Sequence, residues 1–310
     1  PRRVAIIGAG HVGATAAYAL LLSGLASEIV VIDLDRRRAE GEALDLQHAV
    51  PFGDPVRVWA GDYDDVASAA VVVITAGVNQ RPGETRLQLL SRNVAVLRDI
   101  VSRVMAVMPD AILIVTTNPV DVLTWAAIRH SGLPPPRVIG SGTILDTARF
   151  RARLGRHFHV DPRSVHGYII GEHGDSEVPV WSLATIGGLH IDQYRDATGE
   201  ELNEATRRQI VEETRDAASH IIERKGATYY AVAAGIVRIL QAILRDESTV
   251  LTVSSLIDGA YGIRDVCLSL PCIVNRDGIA RVLFPPLAAD EEEALRRSAQ
   301  VLREAQESLA

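Results

Sequence analysis

Short apolar runs alternate with longer amphipathic stretches along the first half of the chain. Runs rich in Val and Ile occupy residues 4–7, 29–32, 56–59, 71–75, 112–115 and 138–139. Stretches with apolar positions three and four apart, such as 12–22 and 84–107, lie between most of them. The first pattern is typical of strands and the second of helices. Because the runs are apolar on both faces and alternate with helices, they predict a doubly wound parallel sheet of the Rossmann type, an α/β fold.

After about residue 142 this rhythm changes. Strand-like sequence interrupted by glycines occupies residues 164–181, and a hairpin is predicted to turn at Asn275–Gly278. The helical patterns of this half occupy residues 143–156, 203–224, 228–244 and a final stretch that begins at Asp290. We therefore expect an N-terminal Rossmann domain at residues 1–142 and a C-terminal α+β domain at residues 143–310.

Composition argues against a nucleic-acid binder, a membrane protein and a disulfide-rich protein. The chain has 310 residues, 47% of them apolar and 23% charged, with a formal net charge of −7, and it lacks the basic field of a nucleic-acid binder. No run approaches the ~18 apolar residues that a membrane helix needs, and glycines break the apolar start that a signal peptide would keep intact. Two cysteines, Cys267 and Cys272, are too few for a disulfide framework, so we expect reduced thiols in a cytoplasmic protein.

A glycine-rich motif follows the first predicted strand. Gly8, Gly10 and Gly13 have the spacing G-x-G-x-x-G where a strand gives way to a helix. In that context the first glycine permits a tight turn, the second lets a pyrophosphate approach the backbone, and the third lets helix and strand pack closely. Asp33 ends the second strand, where a carboxylate accepts hydrogen bonds from ribose hydroxyls, so the motif favours NAD. Three arginines at residues 36–38 keep NADP open as the alternative.

Four polar segments beside apolar strands carry residue types suited to hydride transfer from an alcohol. They are the loop ending at Arg86 and residues 116–121, 145–151 and 171–177. His173 is suited to take the hydroxyl proton near neutral pH, and a carboxylate such as Asp146 would fix its tautomer. Arg149 shares a helix face with Asp146 and suits a substrate carboxylate, while Arg86 suits an oxygen on which charge builds up. Each residue alone has a structural explanation, but their occurrence together behind a dinucleotide motif favours catalysis.

Six motifs make the chain resemble the L-lactate/malate dehydrogenase family over nearly its whole length: GAGHVG, AGVNQRPGETR, TTNPVD, SGTILDTARFR, GEHGDSEVPVW and KGATYYAVA, in that order. The resemblance implies that His173 is the proton donor and acceptor, Asp146 its partner and Arg149 the ligand of the substrate carboxylate. It implies that Arg86 and Asn118 hold the reacting oxygen. It also implies contacts with NAD from Gly8, Gly10, Val12, Gly13, Asp33, Arg38, Tyr63, Gly77, Val78, Thr116, Asn118 and Ser141.

Gln80 is the residue that separates substrates within this family. Malate dehydrogenases that resemble the chain place an arginine there for the second carboxylate, whereas lactate dehydrogenases place a glutamine. A carboxylate enclosed without a cationic partner is costly, so Gln80, with Thr228 on the pocket wall, favours pyruvate and L-lactate. Arg81 keeps malate dehydrogenase or a broad 2-hydroxyacid dehydrogenase open as alternatives. A non-catalytic NAD-binding relative is the alternative from another class, and the presence of all four candidate catalytic residues argues against it.

Arg151 and His166 lie outside this set. In bacterial lactate dehydrogenases that resemble the chain, matching residues bind fructose 1,6-bisphosphate between subunits, because a phosphate needs cationic donors and a symmetric pair of subunits supplies two of each. The resemblance thus implies an effector site and a homotetramer. An exposed arginine and a strand histidine without a ligand are the alternative.

Overall fold

The computed structural model describes residues 2–79, 81, 83–195, 199 and 201–309, so Gln80 and Pro82 lie outside it. The strands are β1 (Arg3–Ile7), β2 (Glu28–Ile32), β3 (Arg57–Ala60), β4 (Ala69–Ile74), β5 (Leu113–Val115), β6 (Val138–Gly140), β7 (Val165–Ile170), β8 (Val178–Ile186), β9 (Leu189–His190), β10 (Thr249–Asp258), β11 (Arg264–Asn275) and β12 (Gly278–Val282). The helices are α1 (His11–Ser23), α2 (Arg36–Ala49), α3 (Arg86–Val107), α4 (Val120–Ser131), α5 (Ile144–His157), α6 (Glu204–Arg215), α7 (Ala217–Lys225), α8 (Tyr230–Leu244) and α9 (Ala289–Glu307).

A large mixed sheet organises the chain, and its strand order is β12-β11-β10-β6-β5-β4-β1-β2-β3. The six strands from β6 to β3 are parallel, as the apolar runs of the first half predict. The other three strands are antiparallel and join at β6, where Ser254 pairs with Gly140. The predicted hairpin at Asn275–Gly278 is confirmed, and the sheet it extends draws strands from both halves of the chain.

The core consists of apolar layers on the two faces of this sheet. Successive side chains of β1 point to opposite faces, so Val4 and Ile6 pack towards α1 and α8. Ala5 and Ile7 pack towards the layer formed by α3, α4 and α9. A separate cluster between α5 and the sheet β7-β8-β9 includes the fully buried Phe150. Over the described ranges, no helix has both the length and the apolar character needed to cross a membrane.

Three of the predicted helices differ from the observed ones by more than a single residue at either end. The helix expected at 203–224 is two helices, α6 and α7, that meet at Asp216, a residue type disfavoured in helix interiors. Helix α3 begins at Arg86, because Thr85 caps its N-terminus and exchanges hydrogen bonds with Gln88. Helix α8 begins two residues later than expected, at Tyr230, which leaves Thr228 in the connection between α7 and α8.

Candidate active site

The glycine-rich loop joins β1 to α1 at the carboxyl edge of the parallel strands. Gly8 has a φ of 111°, and a Cβ there would lie 2.5 Å from the backbone nitrogen of Ala76. A Cβ on Gly13 would lie 1.8 Å from the carbonyl oxygen of Gly8. A Cβ on Gly10, by contrast, would meet no described atom within 4 Å. Two of the glycines are therefore required by close packing, and the third leaves the backbone open to a ligand, as a pyrophosphate requires.

A cavity of about 940 Å³ opens beside this loop. The predicted cofactor residues along it are Gly8, Gly10, Asp33, Arg38, Tyr63, Gly77 and Val78. The Asp33 carboxylate accepts hydrogen bonds from the backbone N–H groups of Ala9 at 2.6 Å and Asp35 at 2.8 Å. Each of its oxygens keeps a second lone pair, so the carboxylate can still accept a ribose hydroxyl. Arg36, one of the arginines that kept NADP open, forms ion pairs with Glu40 and Asp62.

The remaining predicted cofactor residues lie outside the lining of this cavity. Val12 is half-buried against the apolar layer around α1, and Gly13 packs beneath Gly8. Thr116 follows β5, and its hydroxyl donates to the carbonyl of Ile74 at 3.0 Å. Ser141 follows β6, and its N–H donates to the carbonyl of Val115 at 2.9 Å. Thr116 and Ser141 are thus at the carboxyl ends of neighbouring parallel strands, where open α/β sheets bind ligands.

Gly13→Ala should destabilise the protein by about 2–4 kcal/mol, because the added methyl group collides with backbone that has no room to move. Chemical denaturation measures this directly. Gly41→Ala on α2 is the matched control: its Cβ meets no described atom within 4 Å, so the exposed helix should become about 0.5–1 kcal/mol more stable. Equal effects of the two substitutions would contradict this account of the loop.

Two of the predicted site residues, His173 and Arg149, contact the buried carboxylate of a third, Asp146. Asp146 and Arg149 lie one turn apart on α5, and His173 lies on the loop between β7 and β8. The Nδ1 atom of His173 is 2.5 Å from Asp146 Oδ2, and Nη1 of Arg149 is 3.2 Å from Asp146 Oδ1. The Asp146 side chain is only 3% exposed, so both contacts are shielded from water. The predicted cluster is thus present in the structure.

The electrostatics of the cluster favour the charged imidazolium. Burial alone would lower the pKa of His173, but the adjacent charge of Asp146 and its hydrogen bond raise that pKa to about 9. At neutral pH the ring therefore carries both protons, and Nδ1–H donates to Asp146. Among the residues that the structure describes, Nε2 of His173 has no hydrogen-bond partner. That atom is available to give a proton to a bound molecule.

Two supporting residues were not singled out from the sequence. Asp121 is buried on α4, and its Oδ2 accepts the backbone N–H of His173 at 2.8 Å; burial raises the pKa of Asp121 to about 6. Asn93 is buried on α3, accepts from the N–H of Val78 at 2.9 Å and donates to the carbonyl of Asn118 at 3.4 Å. Asp121 could have been found in the motif TTNPVD, but Asn93 carries no signal in the sequence beyond a polar residue among apolar ones.

The other predicted substrate residues are not joined to this cluster. Arg86 is exposed at the start of α3, and no hydrogen bond or ion pair within the described ranges links it to His173. Gln80 is outside the described residues. Thr228 is half-buried next to Tyr229, whose ring stacks on His11 with centroids 5.1 Å apart. Asn118 is exposed beyond β5.

The candidate effector residues lie on neighbouring elements. Arg151 is on α5, and its Nε donates to the carbonyl of Gly167 at 2.9 Å, while its guanidinium lies 5.4 Å from the ring centroid of Tyr168. Burial lowers the pKa of Arg151. His166 is the exposed residue of β7 immediately before Gly167. Arg151 therefore contacts strand β7 at the residue that follows His166.

Comparisons with known proteins assign nearly the whole chain to one family. Residues 2–140 match the family described as lactate/malate dehydrogenase, NAD binding domain, and residues 143–310 match lactate/malate dehydrogenase, alpha/beta C-terminal domain. An L-lactate dehydrogenase of Thermus aquaticus is 52% identical over 307 residues, 99% of each chain. Another, from Thermoanaerobacter sp. (strain X514), is 52% identical over 97% of each chain. The crystal structure of the minor L-lactate dehydrogenase from Enterococcus mundtii superposes with a TM-score of 0.96 at 43% identity, covering 100% of this chain and 98% of that one.

Proposed function

Since the chain belongs to the lactate/malate dehydrogenase family, we propose that it reduces pyruvate to L-lactate with NADH and catalyses the reverse reaction with NAD. Membership makes it an NAD-dependent oxidoreductase with a Rossmann domain. The observation that carries the proposal is the Asp146 carboxylate, which contacts both His173 and Arg149 in a chain with an NAD-binding half. Such a cluster pairs a proton donor with a ligand for a carboxylate.

Each residue of the cluster has a distinct task in this proposal. The nicotinamide cofactor supplies or accepts the hydride. His173 gives its Nε2 proton to the oxygen of pyruvate, and Asp146 stabilises the imidazolium before the transfer. Arg149 binds the substrate carboxylate through its planar guanidinium. Asp121 fixes the backbone of His173 and thereby the direction of the ring.

Arg86 requires a movement in order to act. Arg86 is exposed and ends the segment 77–86. At the start of this segment, the backbone N–H of Val78 donates a hydrogen bond to the side chain of Asn93. We infer that this segment is a lid that closes over the bound substrate and carries Arg86 to the carbonyl oxygen. Closure would also exclude water, which strengthens the interaction of Arg86 with a developing negative charge.

The substrate assignment rests on Gln80, since an amide cannot offset a second carboxylate. The test is a comparison of pyruvate and oxaloacetate as substrates with NADH. We expect pyruvate to have the far higher kcat/KM. Comparable values would instead identify a broad 2-hydroxyacid dehydrogenase, and a preference for oxaloacetate would identify a malate dehydrogenase.

We further propose that Arg151 and His166 form half of an anion site that fructose 1,6-bisphosphate completes between two copies of the chain. Arg151 donates to the carbonyl of Gly167 on β7, next to the exposed His166, so the two side chains are attached to neighbouring positions of one strand. Two copies related by a twofold axis would present two arginines and two histidines to the two phosphates. A homotetramer is the assembly proposed with this site.

The bisphosphate should lower the pyruvate concentration at half saturation by about tenfold, a typical allosteric coupling. Saturation curves with and without the effector measure this. Arg151→Gln should abolish the response, whereas Arg163→Gln, which removes an exposed arginine paired with Asp161 just before β7, should leave it intact. Identical curves with and without bisphosphate in the unmutated protein would refute the effector site.

A further inference from the structure

A further buried carboxyl group, that of Glu177, lies on the loop that carries His173. Glu177 is the last residue of the loop that carries His173, immediately before β8, and it is 5% exposed. Within the part of the chain that the structure describes, its Oε1 atom is buried without a hydrogen-bond partner. Buried carboxylates are usually paired, because an unpartnered charge in a protein interior is costly. Glu177 therefore needs an explanation that packing does not supply.

The charged groups that act electrostatically on Glu177 come from three elements. They are Asp146 and Arg149 on α5, His173 on its own loop, and Arg215 at the end of α6. Burial, and then the negative charge of Asp146, raise the pKa of Glu177 to about 8, while the three cations oppose that rise. Glu177 is therefore mostly protonated and uncharged at neutral pH.

This neutrality matters for the charge balance of the site. Arg149 already has one anionic partner, Asp146, at 3.2 Å. If Glu177 were also ionised, Arg149 would lie in the field of two carboxylates, and a substrate carboxylate would be repelled by both. When Glu177 is neutral, Arg149 attracts the carboxylate of the substrate more strongly than when Glu177 is ionised.

We propose that Glu177 is a positioning residue whose charge state sets how strongly Arg149 binds the substrate carboxylate. In its neutral form Glu177 permits binding. In its ionised form, after loss of its proton to solvent, it competes with the substrate for Arg149. This inference rests on the proposed function, in which Arg149 is the carboxylate ligand.

The test compares the unmutated protein with Glu177→Gln between pH 6.5 and 9.5, measuring KM and kcat for pyruvate with NADH and for L-lactate with NAD. The amide keeps the shape of the protonated acid and cannot ionise. At pH 7 the KM values should agree within about twofold, and at pH 9 the variant should have a KM about fivefold lower for both substrates.

The use of both substrates separates this effect from one that acts through His173. Removing a negative charge near His173 lowers the pKa of the imidazolium, which favours lactate oxidation but disfavours pyruvate reduction. A change through Arg149 alters both KM values in the same direction, because both substrates carry the same carboxylate. Opposite changes in the two KM values, or no change at pH 9, would overturn the inference.

Two further measurements keep the result interpretable. Glu212→Gln removes an exposed carboxylate from α6, close in sequence to Arg215, and should leave both pH profiles unchanged. NADH affinity verifies that Glu177→Gln is folded, and Glu177→Leu provides a second neutral side chain if the amide variant is unstable. If the unmutated protein turned over neither substrate, the proposed function would fail. Turnover with unchanged pH profiles in the variants would refute the role of Glu177 alone.

Discussion

His173→Asn is expected to lower kcat for pyruvate reduction by a factor of about 10³ or more, because the reaction loses its proton donor. Asparagine can still donate a hydrogen bond to Asp146, so the loop should keep its shape. It cannot, however, give a proton to the substrate oxygen. His173 is not among the residues that line the cavity beside the glycine-rich loop, so NADH binding should persist. Steady-state kinetics and NADH fluorescence titration measure the two quantities separately.

A surface histidine provides the control for this result. His220→Asn changes an exposed residue of α7 and should leave kcat within about twofold of the unmutated value. If His173→Asn retained more than about a tenth of the turnover, the proton would have to come from another group, and general acid catalysis by His173 would be excluded.

Gln80→Arg is expected to change the ratio of kcat/KM for oxaloacetate over pyruvate by roughly 10³-fold, enough to invert the preference. The introduced guanidinium would pair with the second carboxylate of oxaloacetate. With pyruvate, the same cation would face a methyl group and remain without a partner in a closed site. Initial rates with both substrates at one pH give the ratio directly.

The neighbouring arginine supplies a matched control. Arg81 is exposed, and its backbone N–H donates to Glu84 at 2.8 Å. Arg81→Gln removes a positive charge one position away and should leave the substrate preference unchanged. A loss of oxaloacetate activity in Arg81→Gln would show that the lid presents Arg81 to the substrate instead. The assignment of specificity to Gln80 would then be incorrect.

Periodicity and motif order were sufficient to predict the parallel half of the sheet and the cluster of His173, Asp146 and Arg149. The parallel strands are apolar on both faces, which is a strong local signal, and the three residues stand in motifs with unusual spacing. Strand β10 is not predicted because Thr252, Ser254 and Ser255 interrupt its apolar run. No local pattern marks that it would pair with β6.

The roles of Asp121 and Glu177 could not be read from the sequence for a different reason. Each is an ordinary acidic residue inside a motif, and its properties come from burial and from neighbours that are distant in the chain. Asp121 meets His173 only after α4 and the β7–β8 loop pack together. The exposed position of Arg86 at the start of α3 is likewise a property of the folded conformation, which the residue type does not encode.

The pairing of Ser254 with Gly140 also constrains how the protein is made. Strand β6 emerges from the ribosome roughly 110 residues before the strand that covers its edge. During that interval the nascent Rossmann half displays an apolar strand with unpaired backbone groups, which is a template for misassembly with other chains. The edge closes only when β10 is synthesised. Completion of the sheet therefore depends on roughly the last fifth of the polypeptide, and truncations before β10 should be substrates for chaperones and proteases.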